Sequence, residues 1–168
     1  MTTIEQAHAL LVERGKPVTL DVTSDSMLPT LPAGSAVRVE PSVRSPRRGD
    51  LVVFRQAGYL VVHRFLGAAR TGDLRARGDA ARPLDPPVPP EAVLGVVVAV
   101  RRDGEWRSLR GAPARAYAGA LAWHGLAWSW LRSRGLGAAA ASADRALLRA
   151  ADRLLFRAAH PRVPPPPG

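Results

Sequence analysis

The sequence predicts a mainly β fold with a short N-terminal helix and a helical C-terminal extension. Three observations carry this expectation. From Val18 to Val100 the apolar residues fall in short, valine-rich runs bounded by turn formers. The 16 prolines and 15 glycines favour turns and coil over long helices. Beyond about Leu109 the β-type runs give way to long stretches rich in alanine, leucine and arginine. At 168 residues the chain has room for one domain with a sizeable core and an appendage. The expected division is a β domain over 1–110 with its core at 18–100, a helical extension over 111–160, and a proline-rich disordered or polyproline tail over 161–168.

The elements follow in order. Thr3 to Arg14 place Ile4, Ala7, Leu10 and Leu11 at helical spacing, and Gly15 stands where a helix stop belongs. Val18 to Val22 reads as a strand running into a serine-rich turn. Ala36 to Val39 alternates as a half-buried strand after the Pro32-Ala-Gly34 turn. Leu51 to Phe54 and Tyr59 to Phe65 form a hairpin about Gly58, with His63 near the end of its second strand and on the same face as Val61 and Phe65. A polar stretch around Thr71 to Asp73 leads to a loop that starts at Arg77 and is stiffened by the prolines from Pro86 to Pro90. Ala92 to Val100 is apolar enough for a central strand, and strand content is expected to end by about Leu109.

Two helical segments come next. Ala112 to Leu131 carries Tyr117, Trp123, Trp128 and Trp130, and three readings stay open for it: a helix packed on the sheet, an interfacial membrane helix, or a short span. Ala138 to Ala159 puts Leu147, Ala151, Leu154 and Leu155 on one side and Arg145, Arg149, Arg153 and Arg157 in a basic stripe.

Composition narrows the chemistry. With no cysteine, disulfides, thiolate metal sites and a cysteine nucleophile are excluded. No metal or cofactor is expected. The net charge of +10 comes from 23 arginines and one lysine, Lys16, against 14 acids. An arginine-, alanine-, proline- and glycine-rich usage of this kind follows from a GC-rich genome, so specific nucleic-acid binding is not inferred. Met1 to Arg14 contains Glu5 and Glu13 and has neither a basic start nor a long apolar core, so no signal or anchor is expected there and the expected location is cytoplasmic, with peripheral membrane contact through 116–157 as an option.

The most informative stretch is Ser24-Asp-Ser-Met-Leu-Pro-Thr-Leu31, a compact way to present a hydroxyl. A serine nucleophile needs a base in reach, donors for the oxyanion and a group that orients the base. Lys16 precedes the serine box, and of the four histidines His63 sits on a strand in β register. Ser26 is therefore the candidate nucleophile and His63 the candidate base. Asp85 or Asp79 would orient the imidazole, and the Ser24 hydroxyl with the Ser26 amide would supply the oxyanion donors. His8, His124 and His160 have no motif around them and are expected to be surface or packing residues.

Over roughly Val18 to Val100 the chain resembles the type I signal peptidase family. Four blocks match in order: Ser24 to Leu31, Gly49 to Phe54, Tyr59 to Phe65, and Gly78 to Asp85. Where bacterial members carry Lys-Arg, this chain has His63-Arg64, so it is similar to the histidine branch found in endoplasmic-reticulum, archaeal and sporulation-type members. The resemblance implies a coiled β-sheet or barrel. It also implies a serine endopeptidase with Ser26, His63 and at least one of Asp79 and Asp85 as catalytic residues, Ser24 assisting, and a leader, signal or pro-segment cut after a small residue. Departures fall in the fourth block, with Ala80 where members usually have asparagine and Pro83, Leu84 and Pro86 around the second aspartate. Two rivals remain at this level: a catalytically degenerate binding module, and a self-cleaving repressor-type relative, which uses a lysine base.

Overall fold

The computed structural model describes residues 4–41, 46–80, 84–135 and 141–166. The side chains of Ile4, Arg132, residues 141–145 and Leu147 are not among those described, so the expected positions of Arg145 and Leu147, like Thr3, Pro83, Pro167 and a helix start at Ala138, lie outside the described residues.

The chain opens with α1 (Ile4–His8), which widens into a π-helical turn over Ala9–Glu13 and ends before Gly15 at φ +58°. Among the described residues seven strands follow: β1 (Val18–Asp21), β2 (Ala36–Pro41), β3 (Leu51–Gln56), β4 (Tyr59–Ala68), β5 (Leu74–Arg77), β6 (Val93–Arg102) and β7 (Glu105–Ser108). They form one antiparallel sheet in the order β1-β2-β6-β3-β4-β5, with β7 paired to β6. The sheet is open, so the closed barrel among the expected shapes is not the one adopted. Two long helices, α2 (Ala112–Ser133) and α3 (Ala141–Ala159), complete the chain. No helix among the described residues is long and apolar enough to cross a membrane, which removes the short-span reading of 112–131.

Period-two alternation on β3 and β4 divides the core into two sides. Leu51 and Val53 face one way with Val62, and this side gathers Leu11 from the N-terminus, Val97 from β6 and Phe156 from α3. Val52 and Phe54 face the other way with Val61 and Phe65, over Ala76 and Val88. The hairpin between these strands turns on Ala57 and Gly58, both at positive φ, the conformation of a tight two-residue connection. Central β6 pairs with β2, β3 and β7, in keeping with its nearly continuous apolar run.

Four expectations change. The segment after Asp73 forms β5, where Leu74 and Ala76 alternate with arginines that gave no β signal; pairing with β4, not propensity, makes the strand. That edge strand and an extension to Ala68 leave His63 in mid-strand, not near a strand end. Among the described side chains of α3 the buried ones are Leu148, Asp152, Phe156 and Ala159, while Leu154 and Leu155 are exposed. The helix turns this way because Asp152 is held by Arg102 at 2.7 Å and by the Tyr117 hydroxyl at 3.0 Å, and Phe156 stacks with His160. Finally, the start of the proline-rich tail is ordered along β7: the Ser108 amide donates to Pro161 O at 2.9 Å and the Val163 amide to Trp106 O at 2.9 Å.

Candidate active site

The serine box is a turn pinned from both sides. Met27 and Leu31 are buried pegs that bridge to each other, and the Leu31 amide donates to Met27 O at 3.0 Å. The Asp25 carboxylate accepts the Ala33 amide at 2.9 Å, and Asp25 O accepts the Leu28 amide at 3.1 Å. With Met27 driven into the core, Ser26 beside it is left half-exposed at the mouth of the turn.

His63 reaches Ser26 from the middle of β4. Its Nε2 lies 3.1 Å from Ser26 Oγ, and its Nδ1 lies 2.6 Å from Asp85 Oδ2. A carboxylate can only accept, so this contact puts the imidazole proton on Nδ1 and leaves Nε2 free to accept from the serine hydroxyl. The ring is 8% exposed and rests edge-on against Phe54, centroids 6.2 Å apart. Asp85 is delivered by the loop after β5, whose backbone is tied down where the Asp85 amide donates to Ala76 O at 3.1 Å and Val88 pairs with Leu74. Ser24 Oγ stands 3.2 Å from Ser26 Oγ. Four of the candidates, Ser24, Ser26, His63 and Asp85, thus converge on one point.

Asp79 does not join them. Period two points Arg64 to the opposite face of β4 from His63, and there its Nε and Nη2 donate to Asp79 Oδ1 and Oδ2 at 2.7 and 2.6 Å. Thr30 Oγ1 donates to Asp79 Oδ2 at 2.5 Å, and Arg64 Nη1 donates to Gly49 O at 2.8 Å. Arg64 is 3% exposed, and a buried guanidinium demands this complement of acceptors. The sequence analysis assigned no part to Thr30 and placed Asp79, as the alternative to Asp85, beside the imidazole. Two available signals pointed to the pairing: an arginine in the middle of an apolar strand needs a carboxylate, and Asp79 is the acid next to the glycine turn that follows β5. The same turn is stitched to the serine box, because the Ala80 amide donates to Ser26 O at 2.9 Å. A backbone donor does this work, so the alanine that stands where asparagine was expected keeps that tie.

A hydroxyl, an imidazole and a carboxylate in line can transfer a proton away from the hydroxyl as it attacks an electrophilic carbonyl. The family model described as Peptidase S24-like matches residues 2–98, more than half of the 168-residue chain. The chain belongs to the Peptidase S24-like family. No curated protein matches the sequence. The S24-like match takes in the serine box, β3 to β5, Asp85 and most of β6, and stops before α2 and α3. It supports serine-peptidase chemistry at the level of the family.

Proposed function

We propose that this chain is a serine endopeptidase working through an acyl-enzyme, and that it removes a leader, signal or pro-segment after a small residue in the manner of the histidine branch of type I signal peptidases. The observation that carries the reading is the unbroken Ser26-His63-Asp85 line, with contacts of 3.1 and 2.6 Å. Ser26 Oγ attacks the scissile carbonyl as its proton passes to His63 Nε2, and the Asp85 carboxylate balances the imidazolium. The Ser26 amide and the Ser24 hydroxyl stabilise the oxyanion. The tetrahedral adduct collapses, the C–N bond breaks, and His63 gives the proton to the leaving amine. Water then attacks the acyl carbon as it loses a proton to the same nitrogen, the acyl–Oγ bond breaks, and Ser26 Oγ takes that proton back as the acid product leaves. Asp79 is a positioning residue in this scheme, since through Thr30 and Arg64 it fixes the serine box to β4.

An active-site serine probe tests the reading. The wild type is expected to label and Ser26→Ala to lose the label; a folded wild type that never labels would overturn it. Replacing Ala with a bulky residue just before the scissile bond of a model leader peptide should remove cleavage, and indifference to that change would refute the small-residue preference.

The S24-like match favours a second reading, the self-cleaving repressor-type relative. The base argues against it, because His63 occupies the place at Ser26 and Lys16 lies before the serine in the chain. Self-cleavage is first order in the chain and independent of its concentration. Cleavage of an added peptide at a rate proportional to enzyme concentration separates the two.

A further inference from the structure

Helix α2 lies outside the family match and leaves one face uncovered. Ala114, Ala122, Gly125 and Trp128 are buried, and Gly125 O accepts Arg77 Nη1 of β5 at 2.8 Å. On the opposite side Ala116, Ala120, Trp123, Ala127 and Trp130 recur at four- and three-residue intervals, and all five are exposed. The two indoles are 62% and 54% exposed. An exposed apolar stripe of this width on a helix otherwise docked against its domain marks an interaction surface.

Charge identifies what fits it. No Asp or Glu occurs in α2, or anywhere between Glu105 and Asp144, in a chain of net charge +10. The cations meet the stripe directly: the Arg48 guanidinium lies over the Trp123 ring at 4.9 Å, and that of Arg134 over Trp130 at 4.3 Å. Exposed Arg115 adds charge at the N-terminal end. Small residues, amphipathic aromatics and arginines set over and beside the indoles are the chemistry of a helix lying in an anionic lipid–water interface. A second copy of this chain would set arginine against arginine. A nucleic-acid base would find one face of each indole already occupied by a guanidinium.

We propose that the outer face of α2 seats on an anionic bilayer surface, with Trp123 and Trp130 at headgroup depth and Arg48 and Arg134 on lipid phosphates. The helix lies in the plane of the surface without spanning it. Because α2 covers the side of β4 that carries Arg64 and His63 points to the other side, this docking leaves Ser26 facing water. The proposed surface is formed by α2 with Arg48 and Arg134 beside it, and it holds whether or not Ser26 is a nucleophile.

Flotation of the full chain with phosphatidylglycerol–phosphatidylcholine vesicles tests it. The wild type is expected to co-float with the mixed vesicles, less so in high salt, and to stay behind with phosphatidylcholine alone. Trp123→Ser/Trp130→Ser should lower the partition coefficient at least about tenfold, and Arg48→Gln/Arg134→Gln about fivefold per arginine. Both indoles lie outside the core, and circular dichroism checks that the variants fold; Ala120→Glu, which adds an acid to the stripe, is a second variant expected to release the protein. Failure of the wild type to float with anionic vesicles at low salt overturns the proposal, and so does unchanged flotation of the folded tryptophan variant. A tryptophan-dependent dimer, or an oligonucleotide complex in place of vesicle binding, overturns it as well.

Discussion

The Asp79 carboxylate closes a two-point ion pair on the Arg64 guanidinium, 2.7 and 2.6 Å, one residue along β4 from His63. The two aspartates that sequence analysis left competing for the imidazole therefore have separate partners on opposite faces of one strand. Asp85 meets His63, and Asp79 meets Arg64.

This separation predicts different signatures for the two carboxylates. Asp79→Ala strands a buried guanidinium without its counter-charge, and such losses cost about 3–5 kcal/mol. Urea unfolding should show a drop of that order. Arg64→Lys should not substitute for the native pair, because a single ammonium cannot meet both carboxylate oxygens in a fork. A loss under about 1 kcal/mol for Asp79→Ala, the scale of an exposed pair, would show that the network does not brace the fold.

Asp85→Asn should do the reverse. The amide presents a donor to Nδ1 and favours the wrong tautomer, so on the proposed mechanism turnover falls by roughly 10⁴ while the fold persists. The acylation rate with a serine probe, measured beside a thermal melt, checks both halves. Retained acylation would remove Asp85 from the machinery.

Much of this was legible beforehand, for physical reasons. β3, β4 and β6 are valine-rich runs whose apolar alternation and punctuation by Gly58 carry their own instructions, and the serine box with His63 stood out because few residue sets can activate a hydroxyl. What escaped depended on tertiary partners. β5 is Leu-Arg-Ala-Arg and becomes a strand by pairing with β4. The buried side of α3 is set by Asp152 meeting Arg102 and Tyr117, an ion pair in the interior that a hydrophobic-stripe reading assigns to solvent. Thr30 carried no signal of its own, because its partner is 49 residues away.

Gly49 offers a test of how α2 is set against the sheet. Its φ of +96° lies where L side chains are strained, and a Cβ there would come within 2.7 Å of the Ala118 backbone carbon. Its carbonyl also accepts from Arg64, so a shift at this turn reaches the Asp79 network. Gly49→Ala should cost at least about 2 kcal/mol, from the strained backbone together with the steric overlap. Gly104→Ala, at φ +77° with nothing within 4 Å of its Cβ, is the control that carries backbone strain alone. Equal losses in the two variants would mean that α2 moves aside freely.

His160 gives the fold a pH dependence. The ring is 2% exposed and is wedged between Phe156 and Tyr117, its Nδ1 donating to Phe156 O at 2.8 Å. Burial holds its pKa below the ordinary value of 6.5, and the nearby Arg64 and Arg107 push the same way against the Phe156 carbonyl and Asp152. The unfolded chain therefore binds a proton at a pH where the folded chain does not. The contribution to stability is complete above about 6.5 and is lost as pH falls from there toward the lowered folded pKa. In urea titrations the unfolding free energy of the wild type should fall on acidification through this window, and His160→Gln should remove part of that slope. Parallel profiles for the two proteins would mean that His160 is protonated equally well in the folded and unfolded chains, and the buried wedge would not be what keeps it neutral.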